Sequence, residues 1–309
     1  MKDSKKLFII VFVATAILLM APSIGPSFRD SDTFWHVFTM LRLPRTFAAF
    51  IAGATLALCG MIFQALFRND LASPYTLGIS AGASFGAAVA ILLGITSVPV
   101  AALIGALIAV AIVWRLSLVE SRFGSHTMLL AGVATGFFFS GLTVFVQYLA
   151  DLSHSHRILH WLMGSLDAVG WPEVIRLSPF LLLAVVTSLF HRELDILSLG
   201  DEAAAARGVD YTRALTTQFI LTSIAVAGIV AVTGPIGFVG LMAPHSARLI
   251  VGPCHRILAP AAGLTGGTLL TLCDTFARTL ILPEEIPVGV VTALLGGPFF
   301  VWLLLRGRR

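Results

Sequence analysis

Charged residues are absent from five long stretches of this chain, and this limits what it can fold into more than any other feature. No Asp, Glu, Lys or Arg occurs in residues 46–67, 71–114, 123–150, 214–247 or 286–305. A helix that crosses a bilayer needs about 20 mostly apolar residues, so the two longest stretches can each hold two such helices. The chain is 57% hydrophobic and 12% charged, about half the charged fraction of a soluble domain. These patterns predict an all-α polytopic membrane protein.

The hydrophobic pattern predicts ten transmembrane helices within a single domain, residues 1–309. The predicted spans are 7–25, 46–67, 75–94, 98–118, 127–149, 174–190, 213–233, 236–252, 257–278 and 286–305. The first of these also resembles a signal peptide, because Lys2, Lys5 and Lys6 precede an apolar run. A retained first span is favoured, since many spans follow and no clear small-x-small cleavage site does.

The distribution of basic residues predicts that both termini are cytoplasmic. Ten spans place the termini on one side, and basic residues concentrate near cytoplasmic span ends. With the termini inside, six of the 20 Lys and Arg residues lie on the outer face and the other 14 on the inner face. The six are Arg29, Arg42, Arg45, Arg157, Arg176 and Arg278. This bias accounts for the net charge of +4, so no nucleic-acid surface is inferred from it.

Several kinds of catalytic and metal-binding motif are missing. The only lysines are residues 2, 5 and 6, which excludes a G-x-x-x-x-G-K-[ST] phosphate-binding loop. The motifs H-E-x-x-H, G-x-S-x-G and C-x-x-C are absent, and Cys59, Cys254 and Cys273 have no metal or disulfide spacing. We therefore predict no enzymatic activity, no cofactor and no metal site in this chain.

An ion-coupled secondary transporter is a second possible class, because such proteins place ionisable residues inside the membrane. The best candidate is Asp274, near the end of the ninth span. Arg278 follows one helical turn later, so a local ion pair is the favoured interpretation and a proton or ion role the lesser one. Elsewhere, glycines at four-residue spacing, Gly78, Gly82 and Gly86, predict close packing of helix backbones.

The longest polar stretch, residues 191–213, is predicted to face the cytoplasm as two short helices. Asp201 and Glu202 fall in the first turn of the second helix, Arg207 in its last turn, and Gly208 ends it, an order that suits the helix dipole and a left-handed cap. A loop that folds in this way indicates a docking surface; a solvated, unstructured loop is the alternative.

Three long motifs make the chain resemble the iron-chelate and cobalamin permeases of ATP-binding-cassette (ABC) importers. They are LRLPRTFAAFIAGATLALCGMIFQALFRNDLASPYTLGISAGASFG (41–86), GPIGFVGLMAPHSARLIVG (234–252) and LPEEIPVGVVTALLGGPFFVWLLL (282–305). The shorter HWLMGSL (160–166) is similar to the outer segment of that family. The resemblance covers nearly the whole chain.

The resemblance implies a fold, partners and residue roles. Two permease copies, expected here as a homodimer, enclose a central path in the bacterial cytoplasmic (inner) membrane, with separate ATPase subunits below and a periplasmic or lipid-anchored binding protein above. Binding-protein docking would fall to Arg42, Arg45 and Arg278, and the cytoplasmic gate to Ser125 and His126 in the turn 124–127. ATPase coupling would fall to the segment 191–213, through Leu194, Leu197, Gly200, Asp201, Glu202, Ala205, Arg207 and Gly208.

The substrate is less constrained than the class. Within the family, iron chelates (ferric siderophores or haem) rank first, with cobalamin and molybdate as alternatives. His154, His156 and His160 cluster on the predicted outer side. Histidine can ligate haem iron or another transition metal, although a plain polar surface is the favoured interpretation of the three. The path itself is expected to be largely apolar, with small and hydroxyl side chains.

Overall fold

The computed structural model of the chain describes residues 2–25, 31–117, 125–167, 170–281 and 284–306, and every regular element within those ranges is a helix. A 3-10 turn, Ala21–Ser23, and a π-helical turn, Phe38–Arg42, accompany the α-helices. The α-helices are α1 Lys2–Met20, α2 Ser31–Val37, α3 Leu43–Phe67, α4 Ile79–Leu92, α5 Val98–Ser117, α6 Ser125–Leu149, α7 Leu152–Leu162, α8 Trp171–Ser188, α9 His191–Leu197, α10 Asp201–Ala205, α11 Tyr211–Thr233, α12 Val239–Val251, α13 His255–Ala277 and α14 Val288–Arg306.

The lengths and surfaces of these helices fit a membrane protein. Seven helical segments of the described chain are long and apolar enough to cross a membrane, and two shorter apolar helices accompany them. Large apolar side chains face outward on several helices; Phe8 is 70% exposed and Leu182 65% exposed. Contiguous surfaces of this kind suit lipid rather than water. The all-helical, multi-pass prediction agrees with this architecture.

Each of the ten predicted spans overlaps one of these helices, but the boundaries differ. The second predicted span begins at residue 46, whereas α2, the π-helical turn and α3 form one continuous helical segment from Ser31 to Phe67. Pro44 lies in the first turn of α3, where its missing N–H costs little. α12 has only 13 residues, about 20 Å of helix. The number of complete crossings therefore stays a prediction.

Helix α3 lies at the centre of the bundle, buried along nearly its whole length. It packs closely on α12 and α13 through glycine. A Cβ atom added to Gly60 would lie 1.9 Å from the Gly240 carbonyl oxygen, and one on Gly53 would lie 2.3 Å from that of Gly266. The glycine stripe predicted on α4 plays the same part, since Gly82 lies against Gly105 of α5. Small residues thus bring these backbones into contact, as predicted.

Candidate functional site

Six charged side chains from distant parts of the chain meet at one end of the bundle. Arg45 is at their centre: its Nε donates to Asp274 Oδ1 at 2.9 Å, its Nη1 donates to Glu285 Oε2 at 2.5 Å, and its Nη2 lies 3.8 Å from Asp167 Oδ1. Three arginines are matched by three carboxylates. We call the group the outer cluster: Arg42, Arg45, Asp167, Asp274, Arg278 and Glu285.

The arginines of the outer cluster are buried within this chain. Arg42, Arg45 and Arg278 are 7, 9 and 8% exposed. Arg278 donates to the carbonyl oxygen of Ala21, and its Nε lies 3.9 Å from Asp274 Oδ2. The predicted Asp274–Arg278 pair is thus present, but Arg45 is the nearer partner of Asp274. A buried charge is costly unless it is paired, which explains why each acid of the cluster lies beside an arginine.

Beside the outer cluster, a cavity of about 430 Å³ opens next to α7 and the end of α11. His156 and His160 line it together with Arg157, Asp167 and Glu173. Helix α7 places His156 and His160 one turn apart. No group of three or more His, Cys, Asp or Glu that could hold a metal ion occurs in the described part of the chain. The cavity therefore presents two imidazoles, which can each act as a single metal ligand, but no cluster of metal ligands among the described residues.

The third predicted histidine, His154, belongs to a helix cap instead. Asp151 caps α7 by accepting the backbone N–H of His154 at 2.8 Å, and its carboxylate also contacts the His154 ring at 2.7 Å. These hydrogen bonds, the backbone one above all, lower the pKa of Asp151 below its ordinary value. His154 is thereby held away from the pair on the cavity.

A second cavity, of about 510 Å³, lies between α4 and α6. Its lining combines apolar side chains such as Phe137 and Val144 with the hydroxyl groups of Ser80, Ser84 and Ser140. It has no charged lining residue among the residues described. This composition matches the one predicted for a transport path, where a cargo passes without tight binding.

The two cavities adjoin at a thin wall. We call the cavity beside the outer cluster the outer cavity, and the one between α4 and α6 the central cavity. Trp161 and Gly234 line the outer cavity, and their chain neighbours Leu162 and Pro235 line the central cavity. The Ser165 N–H donates to the Thr233 carbonyl oxygen at 2.9 Å and ties the two segments together. We call the four residues Trp161, Leu162, Gly234 and Pro235 the wall.

Two glycines allow the segments that form the wall to pack closely together. Gly234 has φ +68°, and a Cβ atom there would lie 2.6 Å from the Trp161 carbonyl oxygen. Gly164, also at positive φ, would bring a Cβ atom to 2.3 Å from the Pro235 carbonyl oxygen. Only glycine combines this backbone conformation with such a close approach. The motifs HWLMGSL and GPIG carry these residues, although the sequence alone did not reveal that they meet.

The segment 191–213 folds as predicted into two short helices, α9 and α10. Gly208 adopts φ +72° after them, in agreement with its predicted role as a stop. α10 ends at Ala205, so Arg207 lies just past the helix rather than in its last turn. The interaction of Arg207 with the helix dipole is therefore weaker than predicted.

The predicted coupling residues divide into two groups. Leu194 and Leu197 are fully buried against the bundle, and Gly200 is covered by the Arg68 guanidinium, which would lie 2.6 Å from an added Cβ atom. The exposed members are Asp201, Glu202, Ala205, Arg207 and Gly208. The first group fixes the segment to the bundle and leaves only the second available to a partner.

Helix α9 is also tied to α13 by a polar contact. Asp195 Oδ1 lies 2.6 Å from His255 Nδ1 and accepts the His255 backbone N–H at 3.2 Å. The contact joins the middle of α9 to the first residue of α13. The pair is 60 residues apart in sequence, and no local pattern pointed to it.

The predicted gate remains a prediction. Ser125 and His126 begin α6, but Gly124 and the side chains of both residues lie outside the described part of the chain.

A family comparison decides the class of the protein: the FecCD transport family matches residues 6–306. The chain belongs to the FecCD transport family. FecCD relatives include the hemin transport system permease protein HmuU of Yersinia pestis, 39% identical over 90% of this chain and 86% of that protein. Another is the vitamin B12 import system permease protein BtuC of Salmonella typhi, 37% identical over 98% of this chain and 94% of the relative.

The fold of this FecCD protein is also that of a solved transporter. A structure of an ABC transporter in an inward-facing conformation, assigned provisionally to the metal-chelate type, matches with a TM-score of 0.90 and 31% identity, over 98% of this chain and 99% of that one. The protein is accordingly an ABC importer permease. The alternatives of a secondary transporter and a membrane enzyme are set aside, because the family match covers almost the whole chain.

Proposed function

We propose that the chain forms, with a second identical copy, the translocation path of an importer for iron chelates, either a ferric siderophore or haem. The observation that carries this proposal is the succession of two cavities separated only by the wall. The outer one has two imidazoles and the central one is apolar with hydroxyl groups. Haem has a largely apolar macrocycle and an iron that imidazole can ligate.

The distribution of charged residues supports an orientation of the chain in the membrane and a partner on each side. The outer cluster and α7 would face the periplasm or cell exterior and receive a substrate-binding protein through the three arginines. The exposed residues of α10 would receive the ATPase subunits in the cytoplasm. The chain would lie in the cytoplasmic membrane of a bacterium with ten spans and both termini inside.

A cobalamin importer is the second candidate, supported by the vitamin B12 permease among the relatives. Molybdate, the third candidate of the family, is less well suited to an apolar path, because an oxyanion needs polar or charged partners inside the membrane.

Uptake in cells that lack the gene tests this proposal. Labelled ferric siderophore, haem and cobalamin are compared side by side, with the wild-type gene restored or absent. Loss of iron-chelate uptake with intact cobalamin uptake is the expected result. Loss of cobalamin uptake alone would overturn the substrate assignment and leave the importer in place.

A matched pair of variants tests the path itself. Ser140 lines the central cavity, so Ser140→Trp should block it and abolish uptake. Ser178 is exposed on α8 and lines neither cavity, so Ser178→Trp should leave uptake unchanged. Equal uptake by both variants would contradict the assignment of this cavity as the path.

A further inference from the structure

A third cavity, of about 550 Å³, lies between α3, α8 and α13 and has no place in the transport path. We call it the side crevice. Its walls are mainly apolar and include Phe50, Leu58, Leu181, Val185 and Leu264. Val185 and its chain neighbour Val186 are both partly exposed on α8, so the crevice opens on the outer surface of the bundle. In a membrane protein that surface meets lipid.

One end of the side crevice is basic. His191, His255 and Arg256 line it there, and no carboxylate lines it among the residues described. Arg256 is exposed and takes part in no ion pair within the described chain. Asp195 of the adjacent α9 is already held by His255 at 2.6 Å. A negative group at this mouth would therefore find a cation without a competing partner.

His255 supplies a second, independent sign of a ligand. It is 5% exposed, and its Nε2 has no hydrogen-bond partner among the described residues. Buried polar atoms are nearly always partnered. Because Asp195 accepts from Nδ1–H, Nε2 of a neutral ring is an acceptor. A hydroxyl donor next to the negative group would complete it.

The geometry points to an anionic phospholipid as the occupant of the side crevice. One acyl chain would lie against the apolar walls, the phosphate would bind Arg256 and His191, and a headgroup hydroxyl would donate to His255. Basic pockets between transmembrane helices on the cytoplasmic side are suited to anionic headgroups. The basic end is cytoplasmic in the proposed topology; this orientation and the ATPase-coupling role of α9 rest on the proposed function, whereas the lipid site itself does not.

Such a lipid would brace the segment that couples to the ATPase. His191 is the first residue of α9, and His255 holds Asp195 in the middle of α9. A headgroup that contacts both histidines would fix the orientation of α9 against α13. The site thus lies where bound lipid can affect coupling without entering the path.

Lipid retention by the purified, delipidated full-length chain tests the inference. Phosphatidylglycerol should remain bound in native mass spectrometry and raise the melting temperature more than phosphatidylcholine does. Arg256→Gln should weaken retention of phosphatidylglycerol by about fivefold, the effect of one basic residue near an anionic headgroup. Arg176→Gln, at the other end of α8, is the control and should change nothing.

A second pair of variants tests the acyl-chain part without altering charge. Val185→Trp should fill the crevice and reduce retention of both lipids, whereas Val186→Trp, one residue away and not on the crevice, should not. Equal retention of phosphatidylglycerol by wild type and Arg256→Gln would overturn the proposal. So would an equal melting-temperature shift with inorganic phosphate alone, which would show an anion site without lipid. These measurements use no transport, so their failure is distinct from a failure of uptake.

Discussion

At the scale of single residues, the outer cluster shows how a membrane protein can keep three arginines in a mostly buried place. Arg45 and Arg278 have carboxylate neighbours, and the neighbours of Arg45 differ in exposure. The side chain of Asp274 is 3% exposed and that of Glu285 is 41% exposed. A carboxylate of a binding protein could displace Glu285 from Arg45 more readily than it could displace Asp274. Glu285 is already partly exposed to water, whereas displacing Asp274 would leave a buried carboxylate without its partner.

We therefore predict that Glu285→Gln strengthens binding of the substrate-binding protein. An exposed ion pair contributes about 0.2–1 kcal/mol, so affinity should rise by up to about fivefold. Titration of the purified importer at low salt measures it. Glu284→Gln is the control, since it removes the same charge next to the cluster without releasing Arg45. Equal affinity changes in the two variants would mean that Glu285 does not compete for Arg45.

The residue scale is also where the sequence was least informative. The i,i+4 spacing of Asp274 and Arg278 was visible, and the pair exists. The shorter Arg45–Asp274 contact joins residues 229 positions apart, and no local rule relates them. The sequence did allow one general prediction: a carboxylate such as Asp274 in an otherwise apolar helix needs a cationic partner.

At the scale of elements, the prediction of helices was largely successful, because apolar length and turn residues are local signals. The pattern in 191–213 predicted both α9 and α10. The pattern did not predict which residues of that segment are buried and which are exposed. Burial depends on the packing of the segment against α3 and α13, which are distant in sequence. The same limit applies to the wall, which two distant motifs form together.

Backbone contact between α3 and α12 leads to a stability prediction. Gly60→Ala would place a methyl group 1.9 Å from a carbonyl oxygen of α12, so the helices must separate. The cost of overpacking is about 1–3 kcal/mol, and the melting temperature in detergent should fall. Gly141→Ala is the control: an added Cβ there meets nothing within 4 Å, so stability should be unchanged or slightly higher. Equal melting temperatures for both variants would contradict the close contact.

The exposed half of the coupling segment gives a second prediction at this scale. Replacing Asp201, Glu202 and Arg207 together by Ala should weaken co-purification of the ATPase subunits by about tenfold, if each exposed charge contributes a few tenths of a kcal/mol. Their side chains point away from the bundle, so the fold of the permease should be kept. Replacing Arg176 and Glu284, two exposed charged residues outside the segment 191–213, by Ala serves as the control. An ATPase complex that survives the triple change intact would argue against docking on α10.

At the scale of the whole molecule, orientation is the property on which the other assignments depend. The described helices fix which residues share an end of the bundle: Arg45, Asp274 and α7 at one end, His191 and His255 at the other. Helix geometry alone cannot say which end is cytoplasmic. The basic residues decide this in the proposed topology, because they favour the cytoplasmic side.

The cysteines of the chain allow a direct measurement of orientation. Cys254 is exposed between α12 and α13, whereas Cys59 and Cys273 are buried. A membrane-impermeant maleimide should therefore label Cys254 only after cells are permeabilised. In a Cys254→Ser background, Ser153→Cys, which lies exposed at the start of α7, should be labelled in intact cells with only the outer membrane opened. The reverse pattern would invert the chain, place the histidine-lined cavity in the cytoplasm, and remove the basis for assigning α10 to the ATPase and the outer cluster to the binding protein.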